Sequence, residues 1–154
     1  MFQKMRRADR QATQDECIAI IKSSSAGVLS LNGTDGYPYG VPLNYMYSDG
    51  ALYFHCAKEG EKLARIAHDN RACFTVIGRN EVLPEAVSTN YQSVIIFGDI
   101  GIIADDKQKR DILMDFGVHF GCEREMLEKY VVKSADACHV LKLDIAHMSG
   151  KARK

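Results

Sequence analysis

The segment YFHCAKEGEKLARI at positions 53–66 changes character midway. Tyr53, Phe54, His55 and Cys56 read as the end of a strand, and Glu61 to Ile66 as the start of a helix, with Lys58, Gly60 and Lys62 near the handover. A helix start presents backbone N–H groups that have no intrahelical partner, together with the positive end of the helix dipole. Glycine lets the backbone bend there or come close to a ligand. With two lysines added, the junction is a candidate phosphate cradle. The competing reading is a solvated helix start whose lysines only confer solubility.

The neighbouring segment, Gly40-Val41-Pro42-Leu43-Asn44-Tyr45, has a proline in mid-run. Proline has no N–H to give to a ladder, so this strand belongs at a sheet edge or beside a bulge. An edge strand has backbone groups free to meet the polar rim of a flat heterocycle. The alternative is a barrel-rim strand with no ligand.

Several elements must position these residues. Thr13 followed by Glu16 is a capping-box pattern, which predicts a short helix over residues 15–24. A strand at 26–31 ends in Asn32-Gly33, with Asp35-Gly36 close behind, so a hairpin to a strand at 39–47 is expected. Ser48-Asp49-Gly50 turns into a third strand at 51–56. A short helix at 62–68 and a strand at 71–77 follow, and residues 80–89 read as polar and irregular. Residues 91–104 form a long β-rich run in which Gly98 and Gly101 suggest bulges or a bend. Asp105-Asp106 caps a helix to about His119, residues 123–132 form another, and the alternation at 139–145 predicts the last strand. Six strands joined mostly by tight turns suggest a small antiparallel barrel with peripheral helices. The regular β-α-β-α order of a doubly wound sheet is missing.

At 154 residues, with 46% hydrophobic and 26% charged content, one soluble globular domain over 1–154 is expected. Twenty basic residues balance twenty acidic ones, which argues against a nucleic-acid binder. No run approaches the roughly 18 apolar residues of a membrane span, and the N-terminal segment has no apolar h-region, so a cytoplasmic location is expected. Cys17, Cys56, Cys73, Cys122 and Cys138 form no CxxC pair, and His68, His119, His139 and His147 show no HxxxH or HExxH spacing. No metal site or disulfide framework is therefore predicted. Cys122 lies in the more polar setting, where a thiol can be reactive.

Taken together, MRRADR (5–10), GYPYGVPLNYMYSDGALYFHCAKEGEKL (36–63), YQSVIIFGDI (91–100) and HMSGK (147–151) resemble the pyridoxamine 5′-phosphate oxidase-like, FMN-binding split-barrel superfamily. Within it they are most similar to the 5-nitroimidazole resistance proteins. The resemblance implies a mainly β fold with peripheral helices, a six-stranded antiparallel split barrel. It further implies a cytoplasmic homodimer with FMN in clefts between subunits. Val41, Pro42, Leu43 and Asn44 would run along the isoalloxazine edge, and Phe54 and His55 would lie near the ring and ribityl chain. Lys62, assisted by Lys58, would hold the phosphate, and Ser93 would supply a polar flavin contact. His55 matches a histidine placed as a proton donor or substrate contact, which an unperturbed pKa near 6.5 suits.

The oxidases proper carry arginine immediately before the matching lysine, where this chain has Glu61. Their arginine-rich C-terminal substrate signature is also missing. The implied activity is therefore that of an FMN-dependent oxidoreductase passing electrons from a reduced nicotinamide to a small electron-poor molecule. The rival readings are a non-catalytic flavin-binding or storage module, a heme-binding split barrel ligated by a histidine such as His55, and a dimeric scaffold with an empty cleft.

Overall fold

In a computed structural model, which describes residues 2–153, the elements follow in the order β1 (Gln11–Ala12), α1 (Gln14–Ser23), β2 (Ala26–Leu31), β3 (Tyr39–Asn44), β4 (Met46–Ser48) and β5 (Ala51–Ala57). Then come α2 (Glu61–His68), β6 (Arg71–Leu83), β7 (Ser88–Ile102), α3 (Asp106–His119), α4 (Arg124–Ser134) and β8 (Cys138–Arg153). The helix starts follow the capping signals. The Thr13 hydroxyl accepts from the Glu16 N–H at 3.2 Å, and the Glu16 carboxylate accepts from the Thr13 N–H at 2.8 Å. Asp105 caps α3 in the same manner, accepting from the Gln108 N–H at 2.7 Å.

All strands belong to one antiparallel sheet ordered β3-β2-β6-β7-β8-β5-β4, with β1 paired to β8. The expected β2–β3 hairpin forms, with Ala26 opposite Asn44 and Leu31 opposite Tyr39. β4 and β5 join through Asp49-Gly50, whose φ angles of 48° and 75° fit a tight two-residue turn. β3 and β4 stand at opposite ends of the sheet, yet Tyr45 alone separates them in the chain. The sheet must therefore curl until its two edges meet at Tyr45, and they meet without pairing. This open, curled sheet with peripheral helices is the split barrel that the resemblance implies, with eight strands in place of six because the short β1 and β4 add to the sheet.

Inside the curl, Leu29, Leu52, Phe54, Phe74, Ile96, Leu141 and Leu143 are buried, and α1 adds Cys17, Ile20 and Ile21. Tyr45 joins them: its ring packs edge-on against Phe74 with centroids 5.1 Å apart. Its hydroxyl donates to the Ile21 carbonyl at 2.6 Å, and its N–H donates to the Ser25 carbonyl at 3.3 Å. A second, smaller core lies outside the curl, where Ile103, Leu113, Val131, Ala135 and Val140 pack the α3–α4 hairpin onto the sheet.

Three boundaries differ from the sequence reading. The single strand expected at 39–47 is two strands, because the chain leaves one edge at Asn44 and joins the other at Met46. The segment expected to be irregular at 80–89 is mostly ladder: past a bulge between Ile77 and Asn80, β6 and β7 pair as far as Leu83 and Ser88 around a single turn at Pro84–Ala86. Its rungs are largely exposed, so no burial pattern marked them. The last strand continues to Arg153 because β7 and β1 both pair with it, placing Arg153 opposite Tyr91 and Lys151 opposite Gln11. The bulge expected near Gly98 belongs to the partner strand: Phe97 faces His147 and Gly98 faces Ile145, so the extra residue is Ala146 of β8, while β7 runs without a break against β6 there. Among the described residues no helix is long and apolar enough to cross a membrane.

Tyr45→Phe should test the corner. Leaving the buried Ile21 carbonyl without its phenol should cost about 1–2 kcal/mol in urea unfolding. Burial pushes the phenol up to about 12, above the value near 10 expected in the unfolded chain. Its contribution is thus complete below about pH 10 and is lost as pH rises through about 12, a component that Tyr45→Phe should remove from the pH profile of stability.

Candidate functional site

The split leaves strand edges without partners. β3 pairs only with β2, which is where Pro42 is tolerated. β4 covers β5 only as far as Tyr53, opposite Met46. Beyond it, residues 54–57 have β8 on one side and, among the described residues, no ladder partner on the other.

Strand alternation decides which side chains reach this gap. On β3, Tyr39, Val41 and Leu43 pack toward the core, while Pro42 and Asn44 are exposed. On β5, Phe54 and Cys56 are buried and His55 faces outward. Asn44 and His55 thus line one cavity of about 440 Å³, whose remaining wall comes largely from α3 and α4. The Asn44 amide is held by donating to the Ser25 carbonyl at 3.0 Å. The side chain of Phe54 is 1% exposed and packs against Phe74, so only its backbone is available to the gap. Ser93 lies on β7, two strands from β5, and does not line the cavity.

His55 meets Phe116 of α3 edge-on, with ring centroids 5.0 Å apart. Burial of this face lowers its pKa below 6.5, so the imidazole is neutral at pH 7 and can donate one hydrogen bond and accept another.

The strand-to-helix junction lies at the end of β5. Gly60, with φ 130° and ψ 168°, occupies the N-cap of α2 in a conformation that side-chain-bearing residues rarely adopt. No side chain caps this helix, unlike α1 and α3. Lys58 and Lys62 make no ion pair or hydrogen bond among the described residues. Uncapped N–H groups and two uncommitted ammonium groups at one turn fit an anionic phosphate.

Glu61, the expected obstacle, is committed elsewhere. Its carboxylate accepts from Arg65 Nε at 2.7 Å. The same guanidinium donates to Asp35 at 2.7 Å and to the Tyr37 carbonyl at 2.9 Å, and stands 5.1 Å from the Tyr39 ring centroid. Arg65 is 8% exposed and is the buried charge of the fold among the described residues. It clamps the β2–β3 loop onto α2 and pairs the Glu61 charge. Arg65 went unnoticed in the sequence, although Glu61 and Arg65 have the i,i+4 spacing of a helical ion pair.

Residues 13–152 match the family profile described as pyridoxamine 5′-phosphate oxidase. Among solved structures, a candidate 5-nitroimidazole antibiotic resistance protein from Bacteroides thetaiotaomicron is 23% identical, with a TM-score of 0.76 over 90% of this chain and 83% of that one. The flavocytochrome Anf3 from Azotobacter vinelandii is 21% identical, with a TM-score of 0.81 over 98% of this chain and 72% of that one. The FAD and heme binding protein from Mycobacterium smegmatis is 20% identical, with a TM-score of 0.77 over 94% of this chain and 74% of that one. At these identities the likeness is one of fold. No curated protein matches the chain.

The setting of His55 predicts its titration. By NMR its midpoint should lie below 6.5 in the folded protein, and Phe116→Ala should raise it by admitting water. Because the folded value is depressed, the contribution of His55 to stability is present above about pH 6.5 and is lost as pH falls through the folded midpoint.

Proposed function

Since the chain belongs to the pyridoxamine 5′-phosphate oxidase family, we propose that it binds FMN at the split of its barrel and serves as a flavin-dependent reductase of small electron-poor molecules. The observation that carries this reading is the uncapped start of α2 with Lys58 and Lys62 uncommitted beside two unpaired strand edges. Bound flavin would accept hydride or electrons from a reduced nicotinamide and pass them on.

The chain's own residues divide the remaining work. Lys62, Lys58 and the first N–H groups of α2 hold the phosphate. Backbone groups of Val41, Pro42, Leu43 and Asn44 meet the polar rim of the ring, and the backbone at Phe54 closes the far side. Neutral His55 offers a hydrogen bond to whatever lies over the ring, and would have to be protonated before it could pass on a proton.

Ser93 fits this scheme through a second copy. It lies on a strand whose neighbouring outward residues Ile77 and Ile95 are 62% and 40% exposed, an apolar outer face suited to a homodimer contact. On this reading one subunit supplies the phosphate site and the other the Ser93 contact.

A heme-binding reading has an observation of its own. Two of the similar structures are a flavocytochrome and a FAD and heme binding protein, and His55 stands in an aromatic-lined cavity. A Soret band on adding hemin, abolished in His55→Ala, would select it. A storage module would hold flavin that reduced nicotinamides fail to bleach.

Titration of the purified protein with FMN and with riboflavin separates these readings. FMN should bind and bleach with a reduced nicotinamide. Lys62→Ala should weaken FMN about 10- to 100-fold while leaving riboflavin unchanged, since the lost contact is a charge-assisted one to phosphate. Equal loss for both ligands would refute the phosphate role, and failure to bind any flavin would refute the function.

A further inference from the structure

The cavity beside His55 contains no charged side chain among its lining residues, although about a quarter of the chain is charged. Its volume of about 440 Å³ lies within the range of small-molecule sites. One wall is a continuous aromatic run: His55 meets Phe116 at 5.0 Å, and Phe116 meets Phe120 at 5.0 Å with ring planes inclined at 38°. Leu127 and Tyr130 of α4 face it. The polar groups are few: an asparagine amide already held by Ser25, a neutral imidazole, a phenol and two thiols.

The two helices of this wall are packed on each other. A Cβ on Gly117 of α3 would fall 2.1 Å from Leu127 Cδ2, so α3 and α4 are already in contact where they meet.

We propose that this cavity is a binding site for an uncharged, planar aromatic molecule, and that the α3–α4 hairpin sets which molecule is accepted. Flat faces suit the Phe116 and Phe120 rings. A carboxylate or ammonium would have to shed its water with no countercharge to meet it, a far larger penalty than the loss of one aromatic contact. Asn44 and His55, which the flavin reading places at the ring, form the inner end of the cavity. The role of the bound molecule as electron acceptor rests on that reading, whereas the ligand class does not.

Cys122 lines the cavity and is exposed, which makes its thiol a reporter that needs no turnover. The experiment follows iodoacetamide labelling of Cys122 by peptide mass mapping, with three probes of nearly equal shape: naphthalene carboxamide, naphthalene carboxylate and naphthylmethylammonium. The carboxamide should protect Cys122 at a concentration at least about tenfold lower than either ion. Met126 also lines the cavity and is 65% exposed on α4, so a lysine there should not disturb the fold. Met126→Lys should shift the preference toward the carboxylate.

Equal protection by all three probes, stronger protection by the ammonium, or no protection by any would overturn the proposal. So would hemin occupying the cavity with a Soret band. Flavin absorbance measured on the same preparation keeps the two claims apart. A yellow protein with an unprotected Cys122 sinks only the aromatic site, and a protein that binds no flavin but has a protected Cys122 sinks only the flavin reading.

Discussion

A buried phenol holds the two ends of the sheet beside each other. Tyr45 is the only residue between β3 and β4, which stand at opposite edges, and it is anchored through Ile21, Ser25 and Phe74. Because both edges are brought to one place by a single residue, they cannot slide into register and pair. The unpaired length of β3 and the bare end of β5 both follow from that. An ordinary closed barrel would have satisfied these groups internally and left nothing for a ligand. The outward delivery of Asn44 and His55 to one cavity also follows, since each stands on a strand whose phase is fixed by the core residues next to it.

A second constraint is electrostatic. Arg65 is nearly buried, and a buried guanidinium is tolerated only when its donors are occupied. Glu61, Asp35 and the Tyr37 carbonyl occupy them. This explains how an acidic residue can stand next to Lys62 without pairing with it: its carboxylate is held by Arg65. The same network ties the β2–β3 loop to α2, so the edge strand and the helix start hold a fixed relation to each other.

Much of the fold was legible because local signals were strong. Thr13 and Glu16 announced α1, and Asp49-Gly50 announced a hairpin; Gly98 marked the place of a register shift whose extra residue is on β8. The division at Tyr45 was not legible, since residues 39–47 read as one strand and nothing local says that the chain has changed edges. The far ends of β6, β7 and β8 were missed for a related reason: their rungs are exposed, and pairing there is fixed by partners distant in sequence. At the site, the junction with Lys58, Gly60 and Lys62 was readable from charge and turn chemistry. The commitment of Glu61 was not, because it depends on Asp35 and Tyr37 reaching Arg65 from another hairpin. The cavity itself was invisible, being made where α3 and α4 return to a sheet they left many residues earlier.

The two separate cores have an evolutionary consequence. The α3–α4 hairpin is one uninterrupted insertion between β7 and β8, and it is secured mainly by its own small cluster on the outside of the barrel. Residues on its inner wall can drift without disturbing Leu29, Phe74 or any other side chain inside the curl. Such a modular cover can therefore diversify while the barrel beneath is inherited intact, and lineages sharing this barrel need not share a metabolic niche.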